Sequence, residues 1–439
     1  MTSITCKTDL KTSLKSKCSR WAPNDTLAII SGNREAPEGA FWLWNPSQGI
    51  LERLLIPYPE DASTLFQVIL NRPPQQWKPA TVEGQQSLSR YMLFPHTAFQ
   101  ISSGVVASGP LNGINTYLLD IKAKKYSAIC SNESSPYWTY SPTPGINAAK
   151  NKLYTTRWLQ EIDKQSAEKP QHSDIICIDL NSKTEKICFP SPISDNVHQV
   201  VVMQDQRHLL LNEFQTGLNG PIPELSAIAP NKHAEILKQI GVKSSRLALV
   251  DLETGDSTTW ECPCPAPAHL VFDPDDPNVF FLACHNMVIA SGQMYLFGPG
   301  CLIKLRIKGK EFHVEGHYTH STFHRLSTHE IVTYHGRKAI AVTVFPNRCE
   351  IIDTESFTRL ALIDLYPIAR IDANGLALPD HPNESAFSVC GVNSPDLLVL
   401  SGSQRIYVVD TSANTPVIET LVYNTDPNWV VRAHMALLT

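Results

Sequence analysis

The sequence predicts an all-β fold, a seven-bladed β-propeller closed by pairing the C-terminal strand with the N-terminal strands. Three observations carry this. Helical periodicity is nearly absent, while short runs rich in Val, Ile, Leu, Phe and Tyr recur between turn residues. Thirty-two prolines and twenty-one glycines supply the many turns such a fold needs. One repeating unit runs from about residue 96 to the end, and a repeat is the signature of a propeller array.

The clearest copy starts at His269-Leu-Val-Phe, turns through Asp273-Pro-Asp-Asp-Pro277 and continues in NVFFLAC, GCLIKLRIK and KEFHVEGHY. Four strands joined by tight turns make one blade. The next copy begins at His329 and turns at His335-Gly-Arg-Lys338, and the preceding one begins at His198 and turns at Gln204-Asp-Gln-Arg207. A further copy is read from Asn374 through Pro379-Asp-His-Pro382 to NESAFSV, DLLVLS and RIYVVDT. In these four the second strand starts nine residues after the leading polar residue, at Arg207, Asn278, Lys338 and Asn383. A looser copy starts at His96, with GVVAS, NTYLLDI and KYSAIC, and another near Thr143. The chain ends on a lone first strand after His434, whereas TLAIIS, FWLWNP and ILERLL near the start have none in front. Pairing them completes a seventh blade and leaves no open sheet edge. The expected organisation is a flexible segment 1–20 and one propeller over 21–439, with insertions at about 56–93 and 215–243, the second holding a short helix.

The chain of 439 residues has 42% hydrophobic and 18% charged residues, enough to bury a large core. A net charge of −5 argues against nucleic acid or an anionic membrane as partner. No apolar run reaches membrane-spanning length, and the first residues lack the apolar core of a secretory signal, which predicts a cytoplasmic protein. Eleven cysteines without a repeating pattern read as free thiols, and Cys262 and Cys264 in ECPCP as loop chemistry. Trp42, Trp44, Trp138 and Trp158 are expected to pack between blades.

In a propeller the first strand of each blade is innermost, so equivalent positions form a ring around the channel. The leading position is His at 96, 198, 269, 329 and 434, with Asn374 and Thr143 as exceptions. Positions further along these strands, such as Val200, Val271, Ile331 and Leu376, are apolar and would floor a pocket for a small-molecule ligand. Imidazole serves as metal ligand, as acid or base near neutral pH, and as hydrogen-bond partner. His198, His269 and His329, in successive blades, are the candidate catalytic residues. The same three would hold a divalent metal, should the chemistry use one. His96, His434, Asn374, His285 and Arg432 are the candidate substrate-binding residues. The histidine-rich run 313–335 mostly spans an outer strand and a connector. No Gly-rich dinucleotide fingerprint, phosphate loop or nucleophile elbow is present, so no nucleotide cofactor is expected.

The stretch His269-LVFDPDDPNVFFLACHN resembles the corresponding blade of oligogalacturonate lyases. That resemblance covers about one blade and implies a seven-bladed ring, a histidine-rich manganese site in the channel and elimination across a uronate ring. The family's His-Pro-His metal loop does not occur here. Carotenoid-cleaving oxygenases also place four histidines on inner strands around iron, and their motifs do not occur either. The expected function is a small-molecule enzyme acting by acid–base or metal-assisted elimination, isomerisation or cyclisation on an oxygenated substrate. The alternative is a non-catalytic propeller that serves as a protein-interaction scaffold.

Overall fold

The structure is a computed structural model. It describes residues 3–5, 7–32, 38–57, 98–102, 105–108, 116–120, 125–130, 138–140, 145–147, 150–159, 173–182, 184–193, 197–213, 233–241, 244–290, 293–296, 299–320, 326–344, 347–366, 370–371, 377–378, 388–402, 404–425 and 434–438. These residues form seven antiparallel sheets of four or five strands and two two-stranded ribbons.

Each of three sheets begins on a strand that bears a leading histidine. The His198 sheet runs Val197–Val202, His208–Glu213, Ser245–Asp251, Ser257–Cys262. The His269 sheet runs Pro267–Asp273, Asp276–Cys284, Cys301–Lys308, Glu311–Thr319, and the His329 sheet Leu326–Tyr334, Arg337–Val344, Arg348–Asp353, Arg359–Asp364. In the last, Tyr334 pairs with Arg337 across a two-residue turn, His335-Gly336, with φ of 47° and 73°. Positive φ at both central residues gives the turn whose twist matches the flanking strands, and Gly336 meets it without strain.

A second regularity lies where the third strand turns into the fourth in four of the sheets. Asp179, Asp251, Asp353 and Asp410 each accept hydrogen bonds from backbone amides two or three residues on, at 2.7–3.4 Å. Each aspartate closes the hairpin by a local side-chain turn.

Closure occurs as expected. Thr26–Gly32 pairs antiparallel with His434–Leu438, from Thr26↔Leu438 to Ile30↔His434, and its other edge pairs with Glu38–Asn45. The first twenty residues differ from expectation. Lys7–Ser13 is no loose segment but the outer strand of this closing sheet, paired with Ile50–Pro57. It is fastened by Arg53 to Asp9 and by Trp44 Nε1, which donates to Leu14 O at 2.7 Å. The 215–243 insertion carries the expected helix at His233–Ile240. The 56–93 insertion lies outside the described residues from residue 58 on.

The sheet nearest the C-terminus corrects a register. Its order is Ser388–Gly391, Leu397–Ser401, Arg405–Asp410, Val417–Val422, so the segment expected to be second is first. Arg370–Ile371 pairs with Ala377–Leu378 in a two-stranded ribbon, and the strand start expected at Asn374 lies outside the described residues. The physical reason is that Val417–Val422, a mix of half-buried and exposed positions with none buried, is an outer strand that completes the sheet.

The chain divides into two compact units, one of Met1–Ile4, Tyr58–Gly298 and Leu305–Val314, the other of Thr5–Pro57, Pro299–Lys304 and Glu315–Thr439. Within the first, Tyr154, Ile175 and Cys177 pack against Val200, Leu209, Leu211 and Ala248 from the neighbouring sheet. Within the second, Val332, Ala341 and Ile351 meet Val389, Leu398 and Tyr407, while Leu27, Trp42 and Trp44 meet Val399, Ile406 and Tyr423. Sheets pack face against face, so both faces of a central strand are apolar, as at Leu209–Leu211 and Ala339–Val342. Trp42 and Trp44 are buried between sheets as expected; the side chains of Trp138 and Trp158 lie outside the described residues.

Candidate functional site

Three leading histidines share a backbone feature that composition could not reveal. In the His198 sheet, Val197 pairs with Glu213 and Gln199 with Asn212, so His198 is the extra residue of a β-bulge. In the His269 sheet the extra residue is Ala268, directly before His269. In the His329 sheet the register shifts between Leu326 and His329. A bulge bends its strand and re-aims the side chains beside it, and bulges concentrate next to functional sites. His269 is half-buried and His329 is buried at 4% exposure, while for His198 and His434 the backbone alone is described.

The bulge before His269 is held from the neighbouring sheet. Asn212 Nδ2 donates to Pro267 O at 3.2 Å and to Ala268 O at 2.8 Å. Gln199 Oε1 accepts from Leu270 N at 2.9 Å, and its Nε2 donates to Leu270 O at 3.4 Å. Two amide side chains thus bind the backbone on both sides of His269. Asn212 is fully buried, so Asn212→Ala leaves two carbonyls without these bonds and costs about 1–3 kcal/mol. Urea unfolding at pH 7 checks this; an unchanged midpoint refutes the clamp.

His285 follows the second strand of the same sheet, is 2% exposed, and its amide donates to Ala266 O at 3.0 Å. It lies at the end of the sheet where Pro267 pairs with Cys284, the end at which the inner strand starts. In the C-terminal sheet, the first inner position is Ser388, 3% exposed, whose Oγ accepts from Met435 N at 3.2 Å. Ser388 takes the place expected for Asn374, and it ties the strand of His434 to its neighbour. His96, Thr143, Asn374 and Arg432 lie outside the described residues.

One acidic residue was missed. Glu330 follows His329 on the inner strand and is half-buried. Desolvation pushes its carboxyl up to about 7, against a counteracting bond from Ile331 N at 3.2 Å. The signal was legible: HEIVTY puts an acid inside a strand whose next residues are apolar.

The histidine-rich run resolves into two parts. His313 and His317 stand on the outer strand Glu311–Thr319, and Cys301 holds the His317 pKa up by a hydrogen bond. His320 is buried and belongs to a separate charge cluster. Its Nδ1 lies 2.8 Å from Glu350 Oε2, Tyr318 Oη donates to the same oxygen at 2.8 Å, and Arg359 Nη1 stands 3.8 Å from Oε1. With side-chain exposures of 0% and 1%, the His320–Glu350 pair is sealed from solvent and acts in stability.

At the opposite end of the His198 sheet, a shallow recess is lined by His208, Leu249, Asp251, Asp256, Thr258 and Lys310. Arg207 and Lys310 neutralise its aspartates at 2.6 and 3.3 Å, leaving no concentrated field.

Seven described sheets and the pairing of the two chain ends define a protein of the β-propeller type. No family model matches the chain, and no curated protein matches it. Solved structures do. A Synechocystis apocarotenoid oxygenase variant is similar with a TM-score of 0.53 at 11% identity, covering 99% of this chain and 95% of that one. A cobalt-substituted form of the Synechocystis enzyme gives 0.53 and 11%, covering 98% and 95%. A candidate 6-phosphogluconolactonase from Bacteroides fragilis gives 0.52 and 9%, covering 95% and 99%. At such identities the likeness is one of fold. Oligogalacturonate lyases are not among these structures. No described helix is long and apolar enough to cross a membrane.

Proposed function

We propose that this protein is a seven-bladed, small-molecule enzyme whose chemistry is carried by His198, His269 and His329 at the heads of the inner strands. The observation that supports this is the recurrence of a β-bulge at or immediately before all three. A polar residue that merely marks a strand start needs no such distortion.

Inner strands of a propeller line its channel, so leading positions face a ligand that enters there. Imidazoles at these positions bind, orient and exchange protons with an oxygenated substrate. Glu330, beside His329, adds a carboxyl that receives or returns a proton. His285, His96, His434 and Arg432 are assigned to substrate contact. Elimination, isomerisation and cyclisation all fit such a set, because each moves a proton between neighbouring substrate atoms without a nucleotide cofactor.

The donor set also fits a divalent ion. Neutral imidazole is a ligand for iron, cobalt, manganese and zinc, and the His329 residue is itself only 4% exposed. His198, His269 and His329 would hold the ion, which when bound would polarise a substrate oxygen. The cobalt-substituted neighbour is a protein of similar fold that accepts such an ion.

The test is turnover of a small-molecule extract followed by mass spectrometry. Wild-type protein is expected to deplete one mass and raise another, and His269→Ala or His329→Ala to slow this by about 10²–10⁴-fold. The rival, a scaffold that docks partners on its rim, draws on Ile187, Val314 and Val417, exposed at 53%, 52% and 64% on outer strands. An unchanged extract, together with a partner lost on charging these three positions, would establish that rival instead.

A further inference from the structure

The ECPCP segment gains a partner in three dimensions. Cys262 closes the outer strand Ser257–Cys262, and Cys284 closes the second strand of the adjoining sheet, Asp276–Cys284. Twenty-two residues apart in the chain, their sulfurs lie 3.7 Å apart. Both thiols are reduced and buried, at 6% and 0% exposure. This is van der Waals contact between sulfurs, and a disulfide of about 2.05 Å needs only a small approach.

The local sequence holds this contact in place. Prolines at 263, 265 and 267 alternate along the connector, and each fixes φ near −65°. Ala266 takes a positive φ of 55°, which turns the chain into the inner strand. Amides of His285 and Asn286 donate to Ala266 O and Pro265 O, both at 3.0 Å, so the residues after Cys284 are bound to the connector after Cys262. The contact is therefore an outcome of backbone constraint on both sides.

We propose that Cys262 and Cys284 form a dithiol modification site that hydroperoxides close to a disulfide and cellular thiols reopen. In the first step the Cys262 sulfur, the more exposed of the two, attacks the peroxide. The O–O bond breaks, an alcohol or water leaves, and Cys262 becomes a sulfenic acid. Cys284 then attacks that sulfur, the S–O bond breaks, and one water leaves as the S–S bond forms. Two thiols are oxidised by two electrons, and one hydroperoxide is reduced. The closed loop contains the whole inner strand Pro267–Asp273, so oxidation fastens the segment carrying His269.

The test uses the full, reduced chain, titrated with hydrogen peroxide, alkylated in denaturant, digested and weighed. The expected product is the Cys262 peptide joined to the Cys284 peptide, lighter by two hydrogens and split by dithiothreitol. In Cys284→Ala the expected product is Cys262 sulfenic acid trapped by dimedone. Half-buried Cys264 is the internal control. Alkylation of both Cys262 and Cys284 at doses that oxidise Cys264 overturns the proposal, as does a bridge from Cys262 to Cys264. The wild-type crosslink needs no variant to fold, so a misfolded Cys284→Ala leaves the test intact.

Discussion

Ending the chain at Thr425 is expected to abolish cooperative folding. The deletion removes His434–Leu438, and with it every backbone pair to Thr26–Gly32 from Thr26↔Leu438 to Ile30↔His434. Each hydrogen bond of that ladder is worth about 0.5–1.5 kcal/mol net. Packing adds more. Met435 and Leu437 lie half-buried against the cluster of Leu27, Ile29, Trp42 and Trp44, and full burial of such a side chain is worth about 1.5–3 kcal/mol, of which each contributes a share. Such losses rival the about 5–15 kcal/mol that hold a domain folded. The newly bare edge of Thr26–Gly32 would also template aggregation. Size-exclusion chromatography and near-ultraviolet circular dichroism check this: the truncated chain should aggregate or lose fixed aromatic signals, and a peptide of residues 426–439 should restore them. A truncated monomer with a wild-type unfolding transition would show that closure is incidental.

Glu350→Gln is expected to cost about 1–3 kcal/mol at pH 7, the penalty for leaving buried groups without the charged hydrogen-bond acceptor they share. The amide keeps the volume but removes the charge that faces His320, Tyr318 and Arg359. Burial pushes the Glu350 carboxyl up, yet the hydrogen bond and charge of His320, then Tyr318 and Arg359, hold it below its ordinary value of 4.5. A carboxyl depressed in the folded state adds stability above its unfolded pKa, and that share vanishes as pH falls through the folded pKa. The gap between wild type and Glu350→Gln should therefore be full above pH 4.5 and shrink in stronger acid. Urea midpoints measured from pH 7 downward decide it. A gap constant across that range would mean that packing, and not charge, holds the cluster.

Much of the fold was legible because its signal is local. Apolar runs, turn residues and the nine-residue offset located the sheets headed by His198, His269 and His329, and the unpaired run after His434 located closure. The C-terminal sheet was misread by one strand. The offset from Asn374 to Asn383 misled, while a better marker went unused: the aspartate that ends the third strand of four sheets, in IDLNS, VDLET, IDTES and VDTSA. Placing Asp410 in that series makes Arg405–Asp410 a third strand and Ser388–Gly391 a first one.

The site was less legible. Histidine at strand heads could be counted, but bulges depend on cross-strand register, which a single strand does not encode. Asn212 and Gln199 act across 56 and 71 residues of chain, so no local pattern connects them to His269. The Cys262–Cys284 contact is hidden in the same way, since ECPCP points to neighbours in sequence. Lys7–Ser13 was taken for a loose tail because its side chains are exposed, as suits an outer strand held by backbone pairing.

Native mass spectrometry with elemental analysis, applied to the wild-type chain and to a His198→Ala/His269→Ala/His329→Ala variant, tests the central claim most directly. The wild-type protein is expected to retain a small molecule or a divalent ion that the variant, still folded by circular dichroism, releases. Equal retention by both proteins, or none by either after exposure to cobalt and to a metabolite extract, would contradict the assignment of function to the heads of the inner strands.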